Sequence, residues 1–126
     1  MKTIKASIAN IPFRTEIRTE DHVIYADEPL ELGGEHTAVN PFELLIASLA
    51  SCTLITLRMY ANRKEWAIKE IKVVLAYDEV SKDVNRVIEL VEATDAVNKD
   101  RMLLIANKCP IHKLLDPVLN IKTEVC

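Results

Sequence analysis

One segment constrains the fold more than any other: an uninterrupted helical pattern from Pro41 to about Arg63. Asn40 is a favourable N-cap, Pro41 suits the first helical position, and Glu43 completes a capping box. The first two-thirds of this helix are apolar or small on nearly every side, which is typical of a buried helix. Because one 126-residue domain has difficulty covering a helix of about 33 Å on all sides, we predict that a second copy covers it in a homodimer.

The segments on either side of this helix predict strands and one further helix. Short strands joined by turns are expected in residues 1–40, where Phe13–Ile17 and His22–Ala26 can pair as a hairpin. Three later segments predict strands. A fourth, Lys99–Lys108, has the apolar stripe of a helix and ends at or is redirected by Pro110. The predicted later strands are Glu70–Asp78, Arg86–Ala93 and Val118–Val125, the first two forming an antiparallel pair. The order predicts an α+β fold in one domain, residues 1–126, divided as 1–40, 41–63 and 70–126.

Charge and composition argue against several function classes. Sixteen basic and nineteen acidic residues give a net charge of −3, so neither nucleic acid nor an anionic membrane surface is an expected partner. The only glycines are Gly33 and Gly34, which cannot build a glycine-rich phosphate loop. The longest uncharged run, Leu44–Leu57, is short for a membrane span. Three widely spaced cysteines and no signal-like apolar stretch at the start indicate the cytoplasm.

Two cysteines are candidates for chemistry, and each also has a structural explanation. Cys52 lies in the middle of the long helix on an apolar stripe, where a thiol is often a small core residue. To react near neutral pH it would need a nearby cation. Cys109 precedes Pro110, so it either follows the end of a helix by chance or caps a new turn, where free N–H groups favour thiolate and His112 adds positive charge. Both alternatives stay open.

The charged candidates have structural explanations as well. Arg14 and Arg18 share a strand face with Glu16, and one of them could be the cation that Cys52 needs, although solvated arginines are the default. Glu43 can serve the capping box alone, and its spacing from Cys52 puts the two on opposite faces of the helix.

Two other kinds of site have little support in the spacing of the residues. A zinc site from Cys52, Cys109 and His112, with His22 or His36, lacks the close ligand pairs that zinc sites use. A serine hydrolase is weaker still, because no GxSxG turn occurs. No role is expected for Cys126 at the end of the chain.

Several motifs together resemble the OsmC-like family, the osmotically induced and organic-hydroperoxide-resistance group of peroxiredoxin-type proteins. They comprise a cysteine inside a long apolar helix, a second cysteine in Cys-Pro-Ile-His, and two short loop motifs. In sequence order they are Asp27–Pro29, Leu32–Gly34, Asn40–Thr53, Leu57–Ala61, Arg63–Lys64, Trp66 and Cys109–His112. The resemblance implies an intertwined homodimer, with antiparallel sheets packed around the long helices and active sites at the subunit interface.

The resemblance also implies the roles of four residues. Cys52 would be the peroxidatic thiolate, and Cys109 the resolving cysteine that forms a disulfide with it, later reduced by an external dithiol. Arg18, or alternatively Arg14, would activate the thiolate, with Glu43 as the partner carboxylate. The best-characterised members carry this glutamate at the position that is Phe42 here, and the chain resembles the branch with Asp-Glu-Pro and Gly-Gly. Neither metal nor cofactor is implied.

The expected function is therefore reduction of organic hydroperoxides by a thiol-dependent peroxidase. An apolar lining predicts a preference for organic over hydrogen peroxide, since an alkyl chain gains free energy by burial; its residues are Leu45, Leu49, Ile55 and Met59. The alternative is a non-enzymatic dimeric module that binds a small apolar ligand in the same interface pocket.

Overall fold

A computed structural model of the chain describes residues 1–126. Its elements in order are β1 (Lys5–Ile8), β2 (Thr15–Arg18), β3 (Val23–Ala26), a 3-10 turn (Leu30–Leu32), α1 (Pro41–Arg63), β4 (Ile68–Tyr77), β5 (Asp83–Ala93), α2 (Lys99–Ala106), α3 (Pro110–Leu115) and β6 (Asn120–Val125). They form two compact units, Met1–Leu45 and Ile46–Cys126, with the boundary inside α1. The α+β class predicted from the sequence is confirmed. The single domain that the length indicates stays a prediction.

The first unit contains a three-stranded antiparallel sheet in the order β1-β2-β3. The predicted hairpin is present, since β2 pairs with β3 with Ile17 opposite Ile24. The backbone N–H of Thr19 donates to the carbonyl of His22 across its turn, at 2.9 Å. A turn closed by a hydrogen bond from the Arg14 N–H to the Ile11 carbonyl occupies the predicted start of the strand at Phe13, so β2 begins at Thr15.

The loop after β3 is organised around Asp27, whose side chain is buried. One carboxylate oxygen accepts hydrogen bonds from the Thr37 hydroxyl at 2.6 Å and the Thr37 N–H at 3.0 Å. The other oxygen accepts from the Glu28 N–H at 2.7 Å. These donors favour the ionised form and lower the pKa of Asp27 to about 2. Asp27 therefore holds the two ends of the loop together.

Both glycines are explained within this loop. Gly33 has a φ of 90°, in the left-handed region that side chains disfavour. Gly34 is packed against the chain itself, because a Cβ there would overlap the carbonyl oxygen of Glu28. The Asp-Glu-Pro and Gly-Gly motifs are thus parts of one folded loop.

The second unit contains a mixed sheet in the order β4-β5-β6. The β4–β5 pair is antiparallel as predicted, but β6 runs parallel to β5, so this sheet is mixed where the resemblance implied an antiparallel one. The reason is the connection: α2 and α3 lie between β5 and β6 in the chain and form the crossover that a parallel pair requires. The last strand begins at Asn120 because the N–H groups of Val118 and Leu119 bond back to the α3 carbonyl of Leu115.

The core of this unit lies between α1, the mixed sheet and α2. Trp66 packs at its edge after α1, with its ring in edge-to-face contact with Tyr60 at 5.6 Å. The buried core residues are Leu57, Tyr60, Ala61, Ile68, Ile88, Met102, Ile105 and Ala106. Burial of this apolar surface is the main stabilising contribution to the unit.

α1 spans the residues that the sequence predicts, and its capping box is formed. The helix is not covered on all sides within one chain: Ile55 and Met59 are 59% and 67% exposed. By length and composition alone α1 would be long and apolar enough to cross a membrane, a criterion that core helices of soluble proteins also meet. Leu49 and Leu57 on its other face are fully buried, as in a core helix.

The packing of Gly34 predicts a position where even a methyl group is destabilising. Gly34→Ala should lower the free energy of unfolding by about 1–3 kcal/mol, the usual cost of overpacking, because the methyl group meets backbone that cannot rotate away. Urea unfolding measures the loss. Glu35→Ala, at the exposed neighbouring position, is the control and should unfold near the wild-type midpoint; equal midpoints for both variants would contradict the loop structure.

Candidate active site

The two candidate cysteines lie next to each other. Cys52 is half-buried in the middle of α1, and Cys109 is fully buried immediately before α3. Both are free thiols, and their side chains are within hydrogen-bonding reach. The structure therefore brings together two sulfurs that are far apart in sequence, as thiol–disulfide chemistry requires.

Cys109 is the N-cap of α3, with Pro110 at the first helical position. Its Sγ accepts a hydrogen bond from the His112 N–H at 3.3 Å, so of the two alternatives left open by the sequence the cap is the one that forms. Burial nevertheless raises the pKa of Cys109, and the neighbouring Cys52 raises it further, whereas the N–H groups of His112 and Ile111 lower it only in part. The N–H groups at the helix end favour the thiolate as expected, but desolvation of the buried sulfur has the larger effect.

A third group, Arg86 on β5, lies beside the thiols and is fully buried. Its Nε donates to Thr123 Oγ1 at 3.0 Å, and its Nη1 donates to Thr53 Oγ1 at 2.9 Å. Its Nη2 donates to Asn107 Oδ1 at 3.0 Å and to His112 Nδ1 at 2.9 Å. All four acceptors are neutral, so they satisfy the N–H groups of the guanidinium without balancing its charge.

The charge of Arg86 has no carboxylate partner. The ion pairs of the structure are Arg18–Glu16 and Lys69–Glu92, and the His112–Asp116 contact would become one only on protonation of His112; none includes Arg86. Burial lowers the pKa of Arg86, while negative charge on Cys109 and Cys52 raises it. Because a buried charge normally needs a counter-charge, the thiol pair is the group that can supply one.

His112 is buried and neutral rather than a source of positive charge. Its Nδ1 accepts from Arg86, which leaves the ring proton on Nε2, 3.9 Å from Asp116 Oδ1. Burial and the adjacent Arg86 cation lower the pKa of His112, and Asp116 only partly offsets them. The expectation that His112 adds positive charge beside Cys109 is therefore wrong.

Arg86 was missed by the sequence reasoning, although the sequence contains a signal for it. Val84, Arg86 and Ile88 alternate along β5 and all three are buried. A cationic residue with the same parity as the apolar residues of a strand faces the core. Such a residue is expected to have a buried partner.

The other two predicted site residues lie in the unit Met1–Leu45 and have local partners. Arg18 forms an ion pair with Glu16 on the same strand. Glu43 accepts from the Asn40 N–H at 2.9 Å, and Asn40 Oδ1 accepts from the Glu43 N–H at 2.8 Å. The alternative cation Arg14 lies over the ring of Tyr25, 4.3 Å from its centroid. Catalytic roles for Arg18 and Glu43 stay predictions.

The arrangement of these side chains does not suit a metal ion. No group of three or more His, Cys, Asp or Glu side chains is placed to hold one. At the thiol pair, His112 Nδ1 is already bonded to the Arg86 guanidinium, whose positive charge would repel a divalent cation. The zinc interpretation gains no support from the chain.

Two adjacent thiols, one on a long helix and one at a helix cap beside a buried guanidinium, form the arrangement that thiol–disulfide chemistry requires. The chain belongs to the OsmC-like family: the family model described as OsmC-like protein matches residues 33–124. The resemblance seen in the sequence is thus confirmed. No protein of curated function matches the chain.

Solved structures with this fold cover nearly the whole chain. A candidate osmotic stress induced and detoxification response protein from Psychrobacter arcticus is 23% identical, with a TM-score of 0.88 over 100% of this chain and 96% of that one. An OsmC-like protein from Mycoplasma pneumoniae is 18% identical, with a TM-score of 0.74 over 99% and 96%. The organic hydroperoxide resistance protein OsmC from Legionella pneumophila is 20% identical, with a TM-score of 0.66 over 99% and 96%. At these identities the comparisons establish the shared fold.

The neutral state of His112 predicts a pH dependence of stability. The folded-state pKa of His112 lies below its ordinary value, so below about pH 6.5 the unfolded chain binds the proton more readily and stability falls, by up to about 1.4 kcal/mol per pH unit. Urea midpoints measured from about pH 7 down to about pH 5.5 should therefore decline less in His112→Asn, whose amide oxygen can still accept from Arg86.

The exposed His22 offers a matched control for this measurement. His22→Asn should keep the decline of the wild-type protein. An unchanged decline in His112→Asn would contradict the neutral, buried state of His112.

Proposed function

We propose that the protein is a thiol-dependent peroxidase that reduces organic hydroperoxides to alcohols, with Cys52 as the nucleophile and Cys109 as the resolving thiol. The observation that carries this proposal is the adjacent pair of free thiols beside a buried cation. Membership of the OsmC-like family supports a peroxiredoxin-like role in general terms. Neighbours of the same fold are named organic hydroperoxide resistance proteins, from Legionella pneumophila and from Bacillus subtilis.

In the first step the Cys52 thiolate attacks the terminal oxygen of the hydroperoxide and the O–O bond breaks. The sulfur loses two electrons and becomes a sulfenic acid, while the alkoxide leaving group takes a proton and departs as the alcohol. Cys52 is the better nucleophile because it is half-buried and reachable from solvent. Cys109 is fully buried, and its raised pKa keeps it protonated.

In the second step the sulfur of Cys109 attacks the sulfur of Cys52. The S–S bond forms as the S–O bond breaks, and the hydroxide takes the Cys109 proton and leaves as water. An external dithiol then reduces the Cys52–Cys109 disulfide and is itself oxidised to a disulfide. The requirement for this reductant is consistent with a cytoplasmic location. No cofactor takes part in the cycle.

The roles of Arg18 and Glu43 as activating cation and partner carboxylate remain part of the proposal. In the second unit, Arg86 offers a cation that is already beside the thiols. Because this cation stays in place when Arg18 is removed, Arg18→Ala is expected to reduce the rate of peroxide reduction less than removal of Arg86.

A homodimer is proposed from the uncovered side of α1. An open apolar cleft of about 380 Å³ runs along this side, and Ile55 and Met59 within it are exposed. Of the predicted apolar lining, Leu49 is instead fully buried in the core. A second copy of the chain packed on α1 would remove the exposed side chains from water. An apolar peroxide could bind along the same surface.

The same cleft favours a second candidate, a dimeric module that binds a small apolar ligand without catalysis. The apolar part of the lining suits such a ligand, and charged side chains also line the cleft. The apolar residues are Leu54, Ile55, Met59 and Ile71, and the charged ones are Arg58, Lys69 and Glu70. In that case the cysteines are structural, and Cys52 should react with alkylating reagents as slowly as an ordinary thiol.

The peroxidase proposal predicts a mass change after one equivalent of cumene hydroperoxide is added to the reduced protein. The wild-type chain should lose two hydrogen masses, and peptide mapping should find the Cys52–Cys109 disulfide. Cys109→Ser should instead gain one oxygen mass on Cys52, because the sulfenic acid then has no resolving thiol. Cys52→Ser should stay unmodified.

Cys126→Ser is the matched control, because Cys126 is exposed and outside the site; it should form the same disulfide at the wild-type rate. Thiols that stay reduced for minutes in excess peroxide would contradict the peroxidase proposal and favour the ligand-binding module.

A further inference from the structure

The starting observation is a charge imbalance in the core. Arg86 is fully buried, its hydrogen-bond partners are all neutral, and it makes no ion pair. Desolvating a guanidinium without a counter-charge is strongly unfavourable, so uncompensated charges are rare inside proteins. The groups beside it that can carry a negative charge are the thiols of Cys52 and Cys109. Arg86 donates to Thr53, which follows Cys52, and to His112, whose N–H donates to Cys109 Sγ.

The two thiols are unequal as counter-charges. Cys109 is fully buried and retains its proton, because desolvation and the neighbouring sulfur raise its pKa. A protonated Cys109 can donate its S–H toward the neighbouring sulfur of Cys52. Cys52 is the half-buried sulfur and directly precedes Thr53, which accepts a hydrogen bond from Arg86, so it is the sulfur left to balance the cation.

We propose that Arg86 holds one negative charge on the reduced Cys52–Cys109 pair and thereby sets the redox equilibrium of that pair. Oxidation to the disulfide removes the anion and leaves Arg86 as an unpaired buried cation, which destabilises the oxidised state relative to the reduced state. The disulfide is consequently easy to reduce. This inference rests on the proposed thiol cycle and identifies Arg86 as a positioning residue that acts through the sulfurs.

The proton balance gives the proposal a measurable signature. When dithiothreitol reduces the disulfide, two electrons enter the protein, Cys109 keeps one proton, Cys52 remains a thiolate, and one proton is released. The equilibrium constant for reduction therefore rises about tenfold per pH unit, by proton linkage. If both sulfurs were protonated in the reduced protein, no proton would be released and the constant would not change with pH.

The other titrating groups near the site do not produce this signature. His112 of α3 faces Arg86, and it stays neutral above about pH 6.5 because its pKa is lowered. Asp116 lies beside the Nε2 of His112, on the ring edge opposite Arg86, and is largely exposed. The groups that face Arg86 from α1, the end of α2 and β6 do not titrate; they are Thr53, Asn107 and Thr123.

The experiment measures the equilibrium between the protein and dithiothreitol from about pH 6.5 to about pH 8, where the reagent stays protonated. The disulfide is prepared with diamide, so peroxidase activity is not needed. The wild-type constant should rise about tenfold per pH unit. In Arg86→Met it should be independent of pH and at least about tenfold smaller at neutral pH, equivalent to about 30 mV for a two-electron couple.

Two variants separate charge from structure. Arg86→Lys keeps the cation and should keep a rise with pH, although a lysine cannot reproduce the hydrogen bonds of the guanidinium. Arg101→Met removes an exposed arginine, bonded through Nε to Tyr60 Oη, and should match the wild-type slope. If Arg86→Met does not fold, the wild-type slope still decides whether the reduced pair carries a charge. Thiolate absorbance that is present in the wild-type protein and lost in Cys52→Ser at neutral pH assigns that charge to Cys52.

A pH-independent wild-type constant, an unchanged slope in Arg86→Met, or failure of diamide to form the disulfide would overturn the inference. None of these outcomes depends on the reaction with peroxide. A protein with the predicted slope that does not react with cumene hydroperoxide would retain the role of Arg86 and lose the peroxidase function. A protein that reacts but lacks the slope would retain the function and lose the inference.

Discussion

The burial of one guanidinium is the interaction on which the rest of the second unit depends. Arg86 on β5 donates hydrogen bonds to one acceptor on each of four elements: α1, the end of α2, α3 and β6. Its N–H groups are satisfied, and no buried side-chain polar atom in the structure lacks a partner. A single side chain therefore fixes the distances between the elements that carry Cys52 and Cys109, and their separation is set by a network rather than by the two loops next to them.

Local signals explain why much of this unit is readable from sequence. The bounds of α1 follow from the capping box at Asn40 and Glu43, and the β4–β5 pair follows from alternation. The direction of β6 is different, because it depends on the route of the chain through α2 and α3 and not on the residues of the strand. The six residues of α3 are too few to give a helical stripe, so the only sequence signal for this helix is Pro110 after Cys109.

In the candidate site, too, some features follow from local sequence signals and others depend on the tertiary fold. The two cysteines stand out by residue type, but their proximity is a tertiary fact that no spacing contains. Arg14 and Arg18 are the cations that the family resemblance favours, because they lie near the start of the chain. Arg86 was present in a predicted strand, in register with buried Val84 and Ile88. Its parity indicated burial, while its charge favoured the assumption of a solvated residue.

Stability alone gives no reason for an arginine at this position. Replacing a buried charged group and its polar partners with apolar side chains of similar volume is often neutral or stabilising. The hydrogen bonds to Thr53, Asn107 and Thr123 offset desolvation without returning a net gain. The cation becomes favourable where an anion forms beside it, and the groups there that can become anionic are the sulfurs. Arg86 is therefore explained by the negative charge of the thiol pair. By stabilising that charge, it favours the reduced pair over the disulfide.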